Sequence, residues 1–177
     1  MFNLQSSQNL VCPAIKFHLE RACMPKPFHY PEVNLSVAVI LCEGRTLLTW
    51  NENWGAFSLP MTKIRSWPGP SGSVDENSES AQQAAIRAAA EGLGRPLKGS
   101  EIPEQSVELE LQPYSHRSHR DGQWKRYSRE VFVFQIEGDL SSFSGKGVWL
   151  TSSEVSSMQP ISQTAQEILS VLETQRG

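Results

Sequence analysis

The sequence has few cysteines and no long apolar run, and both shortages restrict what the protein can be. Its three cysteines are irregularly spaced among 177 residues, without the Cys-x2-Cys pair or neighbouring histidines of a zinc site. We therefore expect free thiols, a reducing compartment and a cytoplasmic location. No apolar stretch reaches the ~18 residues that a membrane-spanning helix needs. Residues 1–14 lack the basic and apolar regions of a signal peptide.

The chain also lacks a strong excess of charge of either sign. Its formal net charge of −3 argues against a generally cationic nucleic-acid binder, although a local basic patch is not excluded. Hydrophobic residues make up 38% and charged residues 20% of the chain, which is typical of a globular domain. A chain of this length buries about 70% of its unfolded surface, so it needs neither a disulfide nor a metal ion to fold.

Prolines are concentrated in residues 1–32, which we interpret as an N-terminal extension preceding a domain at 33–177. In the domain, alternating and apolar segments predict strands at 33–42, 45–50, 57–60, 107–111, 129–136 and 148–150. Glu43 and Gly44 are expected to form the turn between the first two strands. A stretch rich in Pro, Gly and Ser predicts an exposed loop over 65–78.

Two helices complete the predicted domain. The first covers 81–91, with Ser80 and Gln83 as a capping box and Gly92 or Gly94 as its end. The second is C-terminal, and its apolar face is formed by Ile161, Ala165, Ile168, Leu169 and Leu172. The order of elements predicts an α/β fold with a mixed sheet and helices on its faces.

The most specific motif begins at Glu79. Seven residues separate Glu79 from Arg87, and Glu91 and Gly94 follow. This spacing resembles the Nudix box, G-x5-E-x7-R-E-U-x-E-E-x-G-U, in which U is a bulky aliphatic residue.

The flanks of the motif extend this resemblance. Trp54–Ile64 is similar to the W-x-x-P-G-G-K stretch that leads into the box, and Trp149–Val155 is similar to the end of the Nudix domain. The resemblance covers roughly residues 33–175. It implies a Nudix-like α/β/α sandwich in which Arg87 and Gly94 shape the box.

The resemblance further implies hydrolysis of a nucleoside diphosphate linked to another moiety. In the family, Mg2+ ions neutralise the phosphates while water attacks phosphorus, and carboxylates on one face of the box helix bind these ions. Ala88 and Gly92 replace two of those glutamates, so Glu91 is the remaining metal ligand. Glu91 and Glu79 are the catalytic candidates. The expected activity is weak or absent.

The box also departs from the family's pattern before Glu79. Pro60-Met61-Thr62 replaces Pro-Gly-Gly, and β-branched Thr62 is expected to resist the backbone conformations that glycine allows there. Thr62 lies seventeen positions before Glu79, whereas the box places its glycine six positions before, so about eleven residues are inserted. An alternative interpretation is therefore a non-catalytic module that senses a nucleotide or binds a protein. Glu79 and Arg87 would then serve only as a salt bridge.

A basic segment at 116–129 is the candidate substrate-binding region, and its Asp121-Gly122 is typical of a hairpin connection. The expected ligand is a nucleotide or another phosphorylated small molecule, and a homodimer is compatible with the sequence. A plain solvated loop, with Trp124 or Tyr127 covering the sheet edge, is an equally open interpretation of this segment. RNA binding and metal binding by His116 and His119 are the less favoured alternatives. The residues expected to contact phosphate or a base are Lys63, Arg117, Arg120, Trp124 and Arg126.

Overall fold

The computed structural model of the protein describes residues 30–66, 78–118, 121–143, 145 and 147–176. Within these ranges seven strands form one sheet, and three α-helices and two short 3-10 helices accompany it. The strands are β1 (Glu32–Cys42), β2 (Arg45–Asn51), β3 (Ala56–Ser58), β4 (Met61–Lys63), β5 (Tyr114–Arg117), β6 (Trp124–Gln135) and β7 (Gly147–Leu150). The helices are α1 (Ala81–Leu93), α2 (Ser152–Ser157) and α3 (Gln163–Arg176), and the 3-10 turns are Gly99–Glu101 and Leu140–Ser142.

Strand β1 organises the sheet. Its neighbours follow the order β3-β2-β1-β6-β5, with β4 also paired to β1 and β7 paired to β2. The β1–β6 pairing is parallel and runs from Glu32 opposite Arg126 to Leu41 opposite Gln135, while the other strand pairings are antiparallel. The sheet is therefore mixed, as predicted. On the other side of β1, β4 and β2 pair with different parts of the same strand.

The predicted hairpin between β1 and β2 is confirmed. Cys42 pairs with Arg45, and the two turn residues Glu43 and Gly44 have φ of 49° and 72°. Positive φ at both central positions is the geometry that joins twisted antiparallel strands with two residues. Cys42 itself is buried, as expected of a small apolar residue.

Helix α1 has both predicted ends. The Ser80 side chain accepts a hydrogen bond from the Gln83 backbone N–H, the Gln83 side-chain oxygen accepts one from the Ser80 backbone N–H, and Gly94 ends the helix at φ 70°. The buried face of α1 consists largely of alanines, so the helix lies close to the sheet. Its core cluster includes Ala38, Ile40, Ala85, Ala88, Ala89, Leu93, Phe132 and Phe134.

The opposite face of the sheet is covered by α3. Ala165, Ile168 and Leu172 are buried there against Val37 and Val131. Because the two apolar clusters lie on opposite faces of one sheet, the architecture has three layers, and the predicted α/β/α sandwich is confirmed. No helix within the described ranges combines the length and apolar character needed to cross a membrane.

Three sequence-based assignments were wrong or incomplete. Residues 107–111 form no strand: Val107 makes a single bridge to Val131, while Val107, Leu109 and Leu111 pack on the α3 side. Their alternation thus reflects side-chain burial without a hydrogen-bonded ladder. Helix α2, capped by Thr151 and Glu154, was not predicted. Most of the described basic segment belongs to β5 and β6, with only the turn outside the strands. The predicted loop at 65–78 is described only at its ends.

Thr62 does not cause the backbone conflict that was expected. It lies in β4 and pairs with Ser36 of β1, and Glu43 is the one non-glycine residue in the described part of the chain with positive φ. An extended backbone suits a β-branched side chain. The replacement of glycine by threonine therefore accompanies a regular strand at this position.

Candidate functional site

Glu79 and Arg87 form a bidentate ion pair at the start of the box. Arg87 donates from Nε to Glu79 Oε1 at 2.9 Å and from Nη2 to Oε2 at 2.8 Å. Glu79 Oε2 also accepts from the Arg65 backbone at 3.0 Å. The hydrogen bonds from Arg87 lower the pKa of Glu79, so the carboxylate is charged at neutral pH.

The same arginine ties α1 to β4. Its Nη1 donates to Thr62 Oγ1 at 2.8 Å, and its Nη2 donates to the Lys63 carbonyl oxygen at 3.2 Å. The guanidinium thus connects α1, to which Arg87 belongs, with β4 and with Glu79. This geometry gives the pair an evident structural role, and a catalytic role for Glu79 stays a prediction.

Glu91 lies on a cleft beside the C-terminal half of α1. The cleft has a volume of about 460 Å3 and is lined by Thr49, Pro60, Met61, Ala88, Glu91, Gly94 and Gly145. Among the described residues that line the cleft, Glu91 is the one carboxylate. Glu91 is exposed, whereas Ala88 is buried. Gly94, predicted as a structural box residue, ends the helix and also lines the cleft.

The donor set in this cleft does not match the cluster of Mg2+ ions that the resemblance implies. Mg2+ requires several oxygen ligands in octahedral geometry, and carboxylates must converge to hold more than one ion. Across the part of the chain that the structure describes, no group of three or more His, Cys, Asp or Glu side chains could hold a metal ion. Glu91 alone could supply one carboxylate oxygen to a single hydrated cation.

Position 92 also has no room for the missing glutamate. A Cβ built on Gly92 would lie 2.9 Å from Pro60 Cγ and 3.4 Å from Leu47 Cδ2. The first distance is shorter than carbon atoms tolerate, and a proline ring cannot rotate away. The glutamate therefore does not fit unless the neighbouring chain moves.

Glu154 and Glu130, which lie outside the box, do not belong to the described lining of the cleft at Glu91. Glu154 accepts from Arg45 Nη1 at 3.0 Å and from the Thr151 backbone at 2.8 Å, so it caps α2. Glu130 is exposed on β6, opposite Ser36 of β1.

The described members of the predicted phosphate-binding set do not line the cleft at Glu91. Lys63 is exposed on β4 and does not line the cleft. Arg117, Trp124 and Arg126 lie on β5 and β6, which are on the opposite side of β1 from β2 and β4. Arg120 and His119 are outside the described residues.

The β5–β6 turn is held together by its own polar groups. Arg117 donates from Nε to the Gly122 carbonyl oxygen at 2.8 Å, and Lys125 forms an ion pair with Asp121. The hydrogen bond from Lys125 is the main cause that lowers the pKa of Asp121 to about 2. Trp124 is 51% exposed, and its ring stacks on Tyr30 at a centroid distance of 6.1 Å. The predicted Asp121-Gly122 turn is confirmed, with φ of 69° at Gly122.

A second cavity, not anticipated from the sequence, lies between the sheet and the N-terminal end of α3. Its volume is about 590 Å3, and its lining includes Trp54, Tyr114, His116, Arg129, Thr164 and Glu167. Burial raises the pKa of Tyr114, so its phenol stays protonated at neutral pH. The cavity therefore combines aromatic rings, hydrogen-bonding groups and one carboxylate, which is the usual character of a small-molecule pocket.

Arg129 fixes the polar part of this cavity. Its side chain is only 1% exposed and donates to Glu167 Oε2 at 2.5 Å and to the Gln112 carbonyl oxygen at 2.7 Å. Its guanidinium carbon lies 4.9 Å from the centre of the Tyr114 ring, a cation–π distance. Its Nε is buried and has no hydrogen-bond partner among the described residues. The 39% exposed Glu167 side chain is thereby held in one orientation at the pocket wall.

Comparisons with known proteins identify the fold. No protein-family model matches the chain, and no curated protein sequence matches it. Solved structures do match, among them several Nudix proteins. A NUDIX hydrolase from Nitrosomonas europaea is 16% identical at a TM-score of 0.51, over 81% of this chain and 89% of that chain.

Two further neighbours contain bound ligands. The NUDIX domain of NrtR from Shewanella oneidensis, complexed with ADP ribose, is 18% identical at a TM-score of 0.52 and covers 82% of this chain and 89% of that chain. A bifunctional NMN adenylyltransferase/ADP ribose pyrophosphatase from Francisella tularensis, complexed with AMP and a manganese ion, is 18% identical at a TM-score of 0.55. That match covers 89% of this chain and 45% of the other. The protein has the Nudix fold, as the box predicted.

Proposed function

We propose that this Nudix-fold protein binds a nucleoside diphosphate linked to another moiety, and that its pyrophosphate hydrolysis is weak or lost. The observation that carries the loss of hydrolysis is the cleft beside α1, where Ala88 and Gly92 replace glutamates and position 92 has no room for a larger side chain. The fold supports the binding of a nucleoside diphosphate. Neighbours with this fold bind ADP ribose or AMP.

The cavity at α3 is the proposed site for the nucleoside part. Its volume of about 590 Å3 is within the range of small-molecule pockets. Trp54 offers a ring for a base to stack on, and the oriented Glu167 carboxylate accepts hydrogen bonds from amino or hydroxyl groups. Both features suit a nucleoside.

The basic groups near the β5–β6 turn are the proposed partners of the phosphates. Ser115 and His116 of β5 line the cavity, so the hairpin borders it. We propose that Arg117, Arg120 and Arg126 attract the phosphates, with Trp124 and Lys63 as further contacts. Since these charges are exposed or near the surface, their contribution is expected to fall with increasing salt.

Calorimetric titration of the full chain with ADP ribose, AMP and a dinucleotide, paired with assays of product release, tests this proposal. The expected result is saturable binding with little or no turnover. Rapid turnover with Mg2+ would contradict the loss of hydrolysis, and no binding of any nucleotide would contradict the ligand class.

A second candidate function is residual hydrolysis, which the exposed position of Glu91 in the cleft favours. On this alternative the ligand's phosphates would lie in the cleft beside α1 rather than at the β5–β6 turn. Glu91 would then supply one oxygen ligand to a hydrated Mg2+ that arrives with the phosphates and neutralises their charge. Slow Mg2+-dependent turnover that disappears in Glu91→Gln and persists in Glu173→Gln supports it. Glu173 is an exposed helical glutamate distant in sequence, so it is a matched control.

A further inference from the structure

The C-terminal end of α1 packs against neighbours that require a glycine at position 92. The nearest contact of a Cβ there would be Pro60 Cγ at 2.9 Å. Pro60 is buried, and its carbonyl oxygen accepts a hydrogen bond from Ala38 of β1 at 2.8 Å. Because the central strand holds Pro60 in place, the proline is not free to yield to a side chain at position 92.

A second glycine, Gly145, lies against the backbone of Gly92. A Cβ built on Gly145 would lie 2.0 Å from the Gly92 carbonyl oxygen, which is far inside van der Waals contact. Gly145 also lines the cleft next to Glu91 and Gly94. The two glycines therefore bring two backbone segments together at the end of the cleft.

Side chains beyond the glycines stabilise this contact. Phe143 lies 5.3 Å from the Trp149 ring, and the Arg95 guanidinium lies 5.3 Å from the Phe143 ring. Arg95 is fixed by two hydrogen bonds to Glu101, at 2.9 and 2.6 Å. Arg95 occupies the last aliphatic position of the box, so a polar network replaces the usual apolar residue there.

We infer that the cleft beside Glu91 is closed to a cluster of divalent cations, and that the protein binds its nucleotide ligand independently of divalent cations. Gly92 packs closely with Pro60 and Gly145 at the end of the cleft. Replacing Ala88 and Gly92 with the glutamates of the box therefore does not rebuild a metal site. The part concerning ligand binding rests on the proposed function, whereas the part concerning the cleft stands on the packing alone.

Mn2+ titration of the free protein, followed by the electron paramagnetic resonance of unbound Mn2+, tests the closed cleft. The expected result is no saturable Mn2+ binding. Tight binding of Mn2+ that Glu91→Gln weakens would overturn the inference. This measurement needs no nucleotide, so it remains decisive even if every nucleotide fails to bind and the proposed function is rejected.

Calorimetric titration with ADP ribose in EDTA and again in excess Mg2+ tests the second part. The two dissociation constants are expected to agree within about twofold, whereas coupled binding would separate them by about fivefold or more. Binding that appears only with Mg2+ would overturn the inference while supporting the ligand class.

Glycine substitutions test the packing argument directly. Gly92→Ala is expected to lower the melting temperature by about 2 °C or more, although helix propensity by itself favours alanine over glycine. Gly99→Ala is the control, because a Cβ on Gly99 would meet nothing within 4 Å. Equal or higher melting temperature for Gly92→Ala would contradict the steric argument.

The double variant Ala88→Glu with Gly92→Glu completes the test. It is expected to show no saturable Mn2+ binding, whether or not the substitutions lower its melting temperature below that of the wild type. Saturable Mn2+ binding by the folded double variant would overturn the inference.

Discussion

Arg87 donates to both carboxylate oxygens of Glu79, at 2.9 and 2.8 Å, while its remaining Nη1 reaches Thr62 Oγ1 at 2.8 Å. The side chains of Arg87 and Glu79 are only 22% and 14% exposed. One guanidinium therefore joins the start of the box to the middle of α1 and to β4. The connection is present with alanine at position 88 and glycine at position 92.

Removing the charge of Glu79 is predicted to destabilise the domain. Glu79→Gln should reduce the free energy of unfolding by about 1–3 kcal/mol, because the largely buried Arg87 loses its charged partner. Urea denaturation measures this difference. Glu104→Gln, at an exposed residue, should change the free energy by less than about 0.5 kcal/mol. Equal effects of the two substitutions would contradict the structural role of the pair.

The same pair predicts a dependence of stability on acid. Arg87 lowers the folded-state pKa of Glu79 below its ordinary value of 4.5. Its stabilising contribution is therefore fully present above the unfolded pKa and is lost as pH falls through the folded pKa. Denaturation between pH 7 and pH 3 should show the wild type and Glu79→Gln converging in stability below about pH 4.5. A constant difference across this range would contradict the prediction.

Arg95 is predicted to stabilise the protein more than Arg45 does. Arg95 pairs with Glu101, whose side chain is 4% exposed, whereas Arg45 and Glu154 are 37% and 49% exposed. Arg95→Gln leaves a buried carboxylate without its cation and should cost about 2 kcal/mol or more. Arg45→Gln should cost less than about 1 kcal/mol. Chemical denaturation of the two variants gives the comparison, and the reverse order would contradict it.

Trp54 is predicted to contribute to nucleotide binding. It lines the cavity at α3 and is 36% exposed, so a base can reach its ring. Trp54→Ala should weaken binding by about 1–3 kcal/mol, which is the usual range for stacking of one base. Calorimetry with AMP measures the effect. Trp50→Ala is the control, because Trp50 is 46% exposed but is absent from the cavity lining. Similar losses in both variants would argue against this cavity as the nucleoside site.

The arginines of the β5–β6 hairpin are predicted to act on phosphate at long range. Arg117→Gln combined with Arg126→Gln should weaken binding of ADP ribose at low salt, with a smaller effect at high salt because exposed charges are screened. Titrations at two ionic strengths provide the measurement. Binding of adenosine, which has no phosphate, should be unchanged. A loss of adenosine affinity would point to a disturbed pocket instead.

Local signals in the sequence predicted the scaffold well. The β1–β2 turn depends on Glu43 and Gly44, and the limits of α1 depend on Ser80, Gln83 and Gly94, all of which act on neighbouring backbone. Such interactions are determined by a few residues that are adjacent in the sequence. The spacing of Glu79 and Arg87 likewise predicted the Nudix fold, because it repeats a pattern tied to that fold.

The pocket and the closed cleft could not be predicted in the same way. Arg129 and Glu167 are 38 positions apart and meet only after α3 has packed on the sheet. Gly92 looked like a lost glutamate, because the sequence does not show that Pro60 lies against it. At 107–111 the alternation of apolar residues was real, but it reported burial against α3 rather than strand pairing. The pocket, the environment of Gly92 and the burial of residues 107–111 all depend on contacts between segments that are distant in the sequence.

The hydrogen bonds between Arg65 and Glu79 make the start of the box insensitive to chain length. The Glu79 backbone donates to the Arg65 carbonyl oxygen at 3.0 Å, and the Arg65 backbone donates to Glu79 Oε2 at 3.0 Å. Both bonds are made by these two residues themselves, so neither requires a fixed number of residues between positions 65 and 79. Since doubling the length of a closed segment costs only about 0.6 kcal/mol in closure entropy, the ion pair of Glu79 with Arg87 can be kept while this spacing changes.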